Sequence, residues 1–213
     1  MNILTNEIVF PPIDTANEEG ILAIGGDLSI NRLLLAYKSG IFPWYNEDEP
    51  IIWWCPNPRF VLFPSKIKVQ KSMQTVLNNG KLRFTINRKF TDVINNCKNI
   101  DRKNQDGTWI QSDIIDAYTK LHELGYAHSA EAWHNGELVG GLYGIRIGNV
   151  FFGESMFSKQ SNASKYAFIK YVQHLQQDGV QLIDCQIYTD HLKSLGAELI
   201  SRDEFLNQLK HHC

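Results

Sequence analysis

With 213 residues, 43% of them hydrophobic and 21% charged, the chain can fold as one domain, or as one domain plus a small companion. No apolar run approaches the roughly 18 residues of a membrane span, and the N-terminus lacks the basic-then-apolar layout of a signal peptide. The cysteines (Cys55, Cys97, Cys185 and Cys213) are scattered without a CxxC pair. A membrane protein, a zinc module and a secreted disulfide framework are therefore excluded, and a cytoplasmic protein without a metal site is expected.

The net charge of −2 conceals a segregation. From Ser65 to Lys103 ten basic residues face only Asp92 and Asp101, a balance of +8, which leaves −10 for the remainder. Such a split suggests a polyanion-facing surface on an acidic body, the alternative being a solvated face of helix and loop. Apart from Phe84 and Phe90 few aromatics interleave there, which favours phosphate contacts over base stacking.

In chain order, Ile8–Pro12 and Glu18–Asp27 form an opening punctuated by Pro and Gly without clear periodicity. Ser29 can cap a helix through Leu33, Leu34, Ala36 and Tyr37 that stops at Gly40. Ile41 to Arg59 then holds three of the five tryptophans and four of the seven prolines. Prolines fix an irregular path and Trp supplies flat apolar area, so this is either a packed junction or an aromatic wall for a ligand. After the basic segment, Gly107-Thr108-Trp109-Ile110 leads into a helix that Ser112 can cap, with Ile115, Tyr118, Leu121 and His122 at helical spacing.

Tyr126–His134 is predicted as a strand, joined by the Asn135-Gly136 turn to a second over Glu137–Ile147. Gly148-Asn149 turns into a third, Val150–Phe157. Ser161 or Asn162 can cap a helix to about Gln177, and Val180–Ile187 reads as the closing strand, parallel to the third. Ser201 and Glu204 form a capping box for a last helix through about Lys210. An antiparallel meander followed by a helical crossover is an α+β plan of the N-acetyltransferase kind.

Polar residues inside these strands mark the candidate site. By alternation Phe152, Glu154 and Met156 share one face. Asp184 and Gln186 share a face on the closing strand, with Cys185 turned away as core. Carboxylates and amides amid apolar strands must be paired or have a use. His191, just beyond, is a helper or a structural residue.

The segments EGILAIGGDLS, YKSGIFPWY, PIIWWCPNPR, TWI, AYTKLHELGYAHSAEAW, LVGGLYGIRIGNVFFGESMFS, NASK, LIDCQ and HLKSLGAELISR run in order from about Glu19 to Arg202. Together they closely resemble the leucyl/phenylalanyl-tRNA–protein transferase family. That resemblance implies a small N-terminal domain, residues 1–60, and a GNAT-like (acetyltransferase-like) domain, residues 61–213, with a mixed, mostly antiparallel sheet. It implies transfer of Leu or Phe, less often Met, from aminoacyl-tRNA to proteins beginning with Arg or Lys, which tags them for degradation by the N-end rule, with no cofactor.

The resemblance also places Asp184 and Gln186 at the reaction centre as an Asp–Gln relay. A neutral amide is a poor proton acceptor, so Asp184 is expected to orient Gln186, which positions the amine; a route through the tRNA ribose is the alternative. Glu154 would hold a cationic amine. The aminoacyl side chain would rest among Trp44, Trp109, Tyr118, Met156, Phe168 and Tyr171. Tyr37, Ser155, Lys159 and Lys165 would lie by the tRNA 3′ end, and Lys71, Lys81, Arg83 and Lys89 along its backbone. The chain carries Tyr171 where the family has a Phe-type residue, and Thr189 where Asn is often seen.

Two other classes compete. An acetyl-CoA-dependent acetyltransferase would need a glycine-rich pyrophosphate loop where this chain has SKQSNASK, without glycine. A non-catalytic tRNA-binding module would leave Asp184, Gln186 and Glu154 unused.

Overall fold

The computed structural model describes residues 2–100 and 109–213. The readings that fall on Asp101, Arg102, Lys103, Gly107 and Thr108 lie outside the described residues.

Four short strands, β1 (Asn2–Leu4), β2 (Ile21–Gly25), β3 (Phe42–Pro43) and β4 (Ile52–Trp54), make a small sheet in the order β1-β2-β4-β3. Helix α1 (Ile30–Lys38) lies between its second and third strands, and Ser29 is its N-cap residue but makes no side-chain cap bond.

The larger sheet has seven strands, β5 (Arg59–Leu62), β6 (Arg83–Ile86), β7 (Ala127–His134), β8 (Glu137–Ile147), β9 (Val150–Ser158), β10 (Leu182–Gln186) and β11 (Glu198–Ile200). Their order is β11-β5-β10-β9-β8-β7-β6. Strands β7, β8 and β9 form the expected antiparallel meander, with Asn135 and Gly136 both at positive φ in its first turn. The crossover helix α5 (Ala163–Gln177) returns the chain to β10, which pairs parallel to β9.

Helices α2 (Lys71–Asn78), α3 (Phe90–Asn99), α4 (Ser112–Glu123), α6 (Asp190–Ser194) and α7 (Arg202–His212) complete the α-helices among the described residues. One face of the large sheet packs Tyr143, Phe152 and Leu182 against side chains of α1, α3, α4 and α7, among them Leu33, Ile94, Tyr118 and Phe205. The opposite face packs Phe60, Phe151 and Ile183 against Met73 of α2 and Tyr166, Ile169 and Val172 of α5. At about 25 cal/mol per Å2, burial on both faces is the main force holding these layers.

Several expectations need correction. The strand read as closing the sheet lies inside it, because β5 and β11 extend the sheet beyond it. The proline-rich stretch thus ends in a fully buried strand. The cap of α4 is Gln111, with Ser112 as the first helical residue. Asn162 sits at the α5 cap in a left-handed conformation, and it is Ser158 Oγ that accepts the Ser164 N–H. At α7 the Ser201 hydroxyl accepts the Glu204 N–H at 3.1 Å, as the capping box requires. The basic segment holds α2, β6 and α3. Just before α3, the N–H groups of Arg88 and Lys89 donate to buried Glu131, which also accepts the Ser129 hydroxyl.

The face assignment on β9 fails for a physical reason. Tyr143 pairs with Ser155 and the next residue, Gly144, with Gly153, so Glu154 is an extra residue, a β-bulge. A side chain at Gly144 would meet the Phe152 carbonyl at 2.1 Å, so the bulge requires glycine there. The bulge inverts the alternation: Phe152 packs on the α1/α4 face, while Met156 packs on the α5 face.

Candidate active site

Ladder pairing between β9 and β10 runs through Leu182↔Val150, Ile183↔Phe151 and Asp184↔Phe152, and goes no further. Just past this point each strand carries an irregularity. Glu154 bulges from β9, and β10 shifts register between Asp184 and Gln186, with Gln186 at φ +64°. Non-glycine residues rarely hold that conformation, and the cost of order 1–3 kcal/mol is offset only where surrounding contacts fix it. Here the Gln186 N–H donates to Asp184 Oδ1 at 2.9 Å, and the Gln186 side chain donates to Glu154 Oε1 at 3.0 Å. The two strands therefore diverge into a fork with an amide and a carboxyl bridging its base.

Asp184 is wholly buried and held from behind. Arg59, at the start of β5, donates from Nε to Oδ1 at 2.8 Å and from Nη2 to Oδ2 at 2.7 Å. The guanidinium is itself 1% exposed and lies 4.6 Å from the Phe42 ring and 4.7 Å from the Phe205 ring. Glu154 is different. Both carboxyls line one cavity, but Glu154 is half-buried, accepting from Tyr37 at 2.8 Å and from Tyr118 at 3.3 Å. Burial pushes its carboxyl up to about 8, reinforced by the Asp184 charge and opposed by the three donors. The same burial raises both phenols well above the usual tyrosine range.

The cavity has a volume of about 560 Å3 and opens from the fork. Phe42, Trp44, Trp109 and Phe157 form one side of it, and Leu142, Met156, Phe168, Ile183 and Leu192 belong to the α5 side. Trp44 is held by neighbours: its carbonyl accepts from Trp54 Nε1 at 2.7 Å and the two rings are 5.6 Å apart. A largely apolar recess with a few converging polar groups is the general form of a small-ligand site.

Of the expected site residues, Glu154, Asp184, Gln186, Trp44, Trp109, Met156, Phe168 and Ser155 all border the cavity. Tyr37 and Tyr118 are fully buried behind Glu154, so they touch the carboxyl rather than forming the wall. Tyr171 lies elsewhere: its ring packs edge-on against Phe151 at 5.1 Å on the α5 side of the sheet. Lys165 is half-buried in the first turn of α5, beside cavity-lining Ser164. Lys159 is exposed, with its ammonium 5.9 Å from the Phe157 ring. Lys71, Lys81, Arg83 and Lys89 are all exposed, and Lys89 is 3.7 Å from Asp92.

Residues that the sequence reading missed include Arg59, Phe42, Leu142 and Ile183. A charge opening the apolar run RFVLF was the available signal for Arg59, as a partner for Asp184. Cys185 packs toward the α5 face and borders the cavity, and burial raises its thiol, which makes it a poor nucleophile. His191, left open between helper and structural residue, also lines the cavity, and burial lowers its imidazole.

An antiparallel meander, a crossover helix and a parallel strand that forks from its neighbour define a protein of GNAT-like fold. Among solved structures, the chain is similar to a GCN5-related N-acetyltransferase from Kribbella flavida (12% identity, TM-score 0.42, covering 79% of this chain and 60% of that one). It is also similar to L-PGS from Bacillus licheniformis (13%, TM-score 0.45, 80% and 56%). This chain thus spans little more than half of those longer chains.

The family model for leucyl/phenylalanyl-tRNA protein transferase matches residues 61–210, and that for the N-terminal domain of the same transferase matches residues 26–57. Curated relatives carrying the name leucyl/phenylalanyl-tRNA–protein transferase include those of Flavobacterium johnsoniae and Syntrophobacter fumaroxidans. The first is 54% identical over 210 residues, covering 99% of both chains. The second is 53% identical over 206 residues, covering 97% of this chain and 88% of that one. The chain belongs to the leucyl/phenylalanyl-tRNA protein transferase family and is an aminoacyltransferase.

Proposed function

We propose that this enzyme moves leucine or phenylalanine, and less readily methionine, from the 3′ end of aminoacyl-tRNA to the α-amino group of proteins that begin with Arg or Lys. The products would be tagged for degradation. Residues 1–60 act as a small companion domain contributing Tyr37 and Trp44, and residues 61–213 as the transfer domain. The observation that carries this reading is the joining of an apolar recess to the Glu154–Gln186 pair at its fork.

The side chain of the donor rests among Trp44, Trp109, Met156 and Phe168. Its ester carbonyl then lies at the fork, where the incoming nitrogen meets Glu154 and Gln186. The ester is already activated, so the protein has to align two substrates and handle a proton. Gln186 positions the nitrogen, and Asp184 positions Gln186 through its backbone N–H. Ser155, Lys159 and Lys165 border the terminal nucleotide, and Lys71, Lys81, Arg83 and Lys89 take the acceptor stem through its phosphates.

Incubation with Phe-tRNA and an Arg-initiated peptide tests this directly. Mass spectrometry should find one added phenylalanine on the peptide N-terminus. A peptide left unmodified, with the tRNA bound but not turned over, would refute transfer in favour of a binding module.

A further inference from the structure

Two carboxyl groups stand at the fork, and their surroundings assign them different tasks. Both oxygens of Asp184 are engaged, by the two-pronged Arg59 contact and by the Gln186 N–H, and the side chain has no exposure. Glu154 lines the same cavity as Asp184 but is half-buried, and among the described residues no Lys, Arg or His forms an ion pair with it. The groups facing it are Tyr37 from α1, Tyr118 from α4, and Gln186 and the Asp184 carboxyl from β10, the last paired with Arg59 of β5.

Glu154, Tyr37 and Tyr118 close a ring of three oxygen contacts: each phenol with one carboxyl oxygen, and the phenols with each other. An ionised Glu154 brings no proton, and two phenol protons can fill only two of the three contacts. A protonated Glu154 supplies the third. The closed ring has room for a carboxyl that holds its proton, and its loosest contact, Tyr118 to Glu154 at 3.3 Å, is the one that opens most readily when the carboxyl ionises.

We propose that Glu154 is the catalytic residue that exchanges a proton with the acceptor's nitrogen, that Tyr37 and Tyr118 are positioning residues for it, and that Asp184 takes no proton. This rests on the transfer reaction proposed above. The acceptor's ammonium enters against ionised Glu154, opening the ring, and one N–H proton passes to the carboxyl. The nitrogen lone pair attacks the ester carbon and a C–N bond forms. The acyl C–O bond breaks with its electron pair on the ribose oxygen, which takes the second N–H proton. Amide and tRNA hydroxyl leave, and Glu154 returns its proton to water. An α-ammonium titrates at about 7.7–8.0, so with Glu154 near 8 the first transfer is close to even in energy.

The test is kcat/KM for an Arg-initiated peptide against pH, at saturating Phe-tRNA and corrected for ester hydrolysis. The wild type should give a bell centred near pH 8, with Glu154 setting the rising limb and the acceptor ammonium the falling one. Glu154→Gln should be about 100-fold or more slower at pH 8 and keep only a rising limb, that of the free amine. Tyr37→Phe should move the rising limb to higher pH, since the ionised carboxyl loses a donor; a merely structural role would lower the rate without moving the limb. Asp184→Asn should keep the bell at a reduced rate, and should it fail to fold, Arg59→Met/Asp184→Leu replaces it. A wild-type plateau above pH 8, or a falling limb retained in Glu154→Gln, would overturn the inference while leaving the transfer reaction intact. Absence of any product from the wild type would instead overturn the transfer reading itself.

Discussion

Arg59→Met tests the support of the fork most sharply. It removes the partner of a carboxylate with no solvent exposure and leaves Asp184 with the Gln186 N–H alone. Breaking one side of a buried ion pair costs about 3–5 kcal/mol, mostly the penalty of the stranded charge. The lost stacking on Phe42 and Phe205 adds about 0.5–2 kcal/mol at each ring. Arg59→Met should therefore lower unfolding free energy by about 4 kcal/mol or more, measured by urea denaturation with an unchanged m-value. Arg59→Met/Asp184→Leu, which leaves no stranded charge, should recover most of that loss. It should nevertheless lose most of its kcat, because the Gln186 N–H loses its acceptor and the bulge that aims the amide is no longer held. A single variant that loses less than about 1 kcal/mol, or a double variant no more stable than the single, would refute the buried-pair reasoning.

Glu154 also makes stability depend on pH. Its folded carboxyl titrates near 8 against about 4.5 unfolded, so the folded state binds the extra proton between those values and stability should fall as pH rises through that window. Glu154→Gln should flatten the dependence in thermal melts at pH 5, 6, 7 and 8; an unchanged slope would contradict the assignment. Met156→Ala removes a flexible part of the recess wall and should raise KM for Phe-tRNA or Leu-tRNA by about 10–200-fold, with kcat affected less. Charge reversal at Lys71, Lys81 and Arg83 should weaken tRNA binding and reduce its salt slope by about 2 to 3, measured by filter binding at several salt concentrations.

Much of the fold was legible because local signals agreed with the long-range outcome. Asn135-Gly136 and Gly148-Asn149 fixed two turns, and the length of the crossover fixed parallel pairing of β9 and β10. The polar residues Glu154, Asp184 and Gln186 identified the fork because apolar strands do not carry them without reason. Alternation then misplaced Met156, since the extra residue at Glu154 belongs to a pairing with β8 that the local sequence does not announce. Arg59 was hidden by distance: its partner lies 125 residues away. The tyrosines on helices show the same limit. Helical spacing separates the faces of one helix but not what each face meets, so Tyr118 reaches Glu154 and Tyr171 the far side of the sheet.

The most direct measurement is a crystal structure of the protein with a non-hydrolysable 3′-amide analogue of phenylalanyl-adenosine. The phenyl ring should lie between Trp109 and Phe168, with the carbonyl carbon at the fork and room for a nitrogen about 3–3.5 Å from it beside Glu154 and Gln186. A ring seated outside the recess, or a carbonyl carbon that an amine held by Glu154 and Gln186 could not reach, would contradict the account.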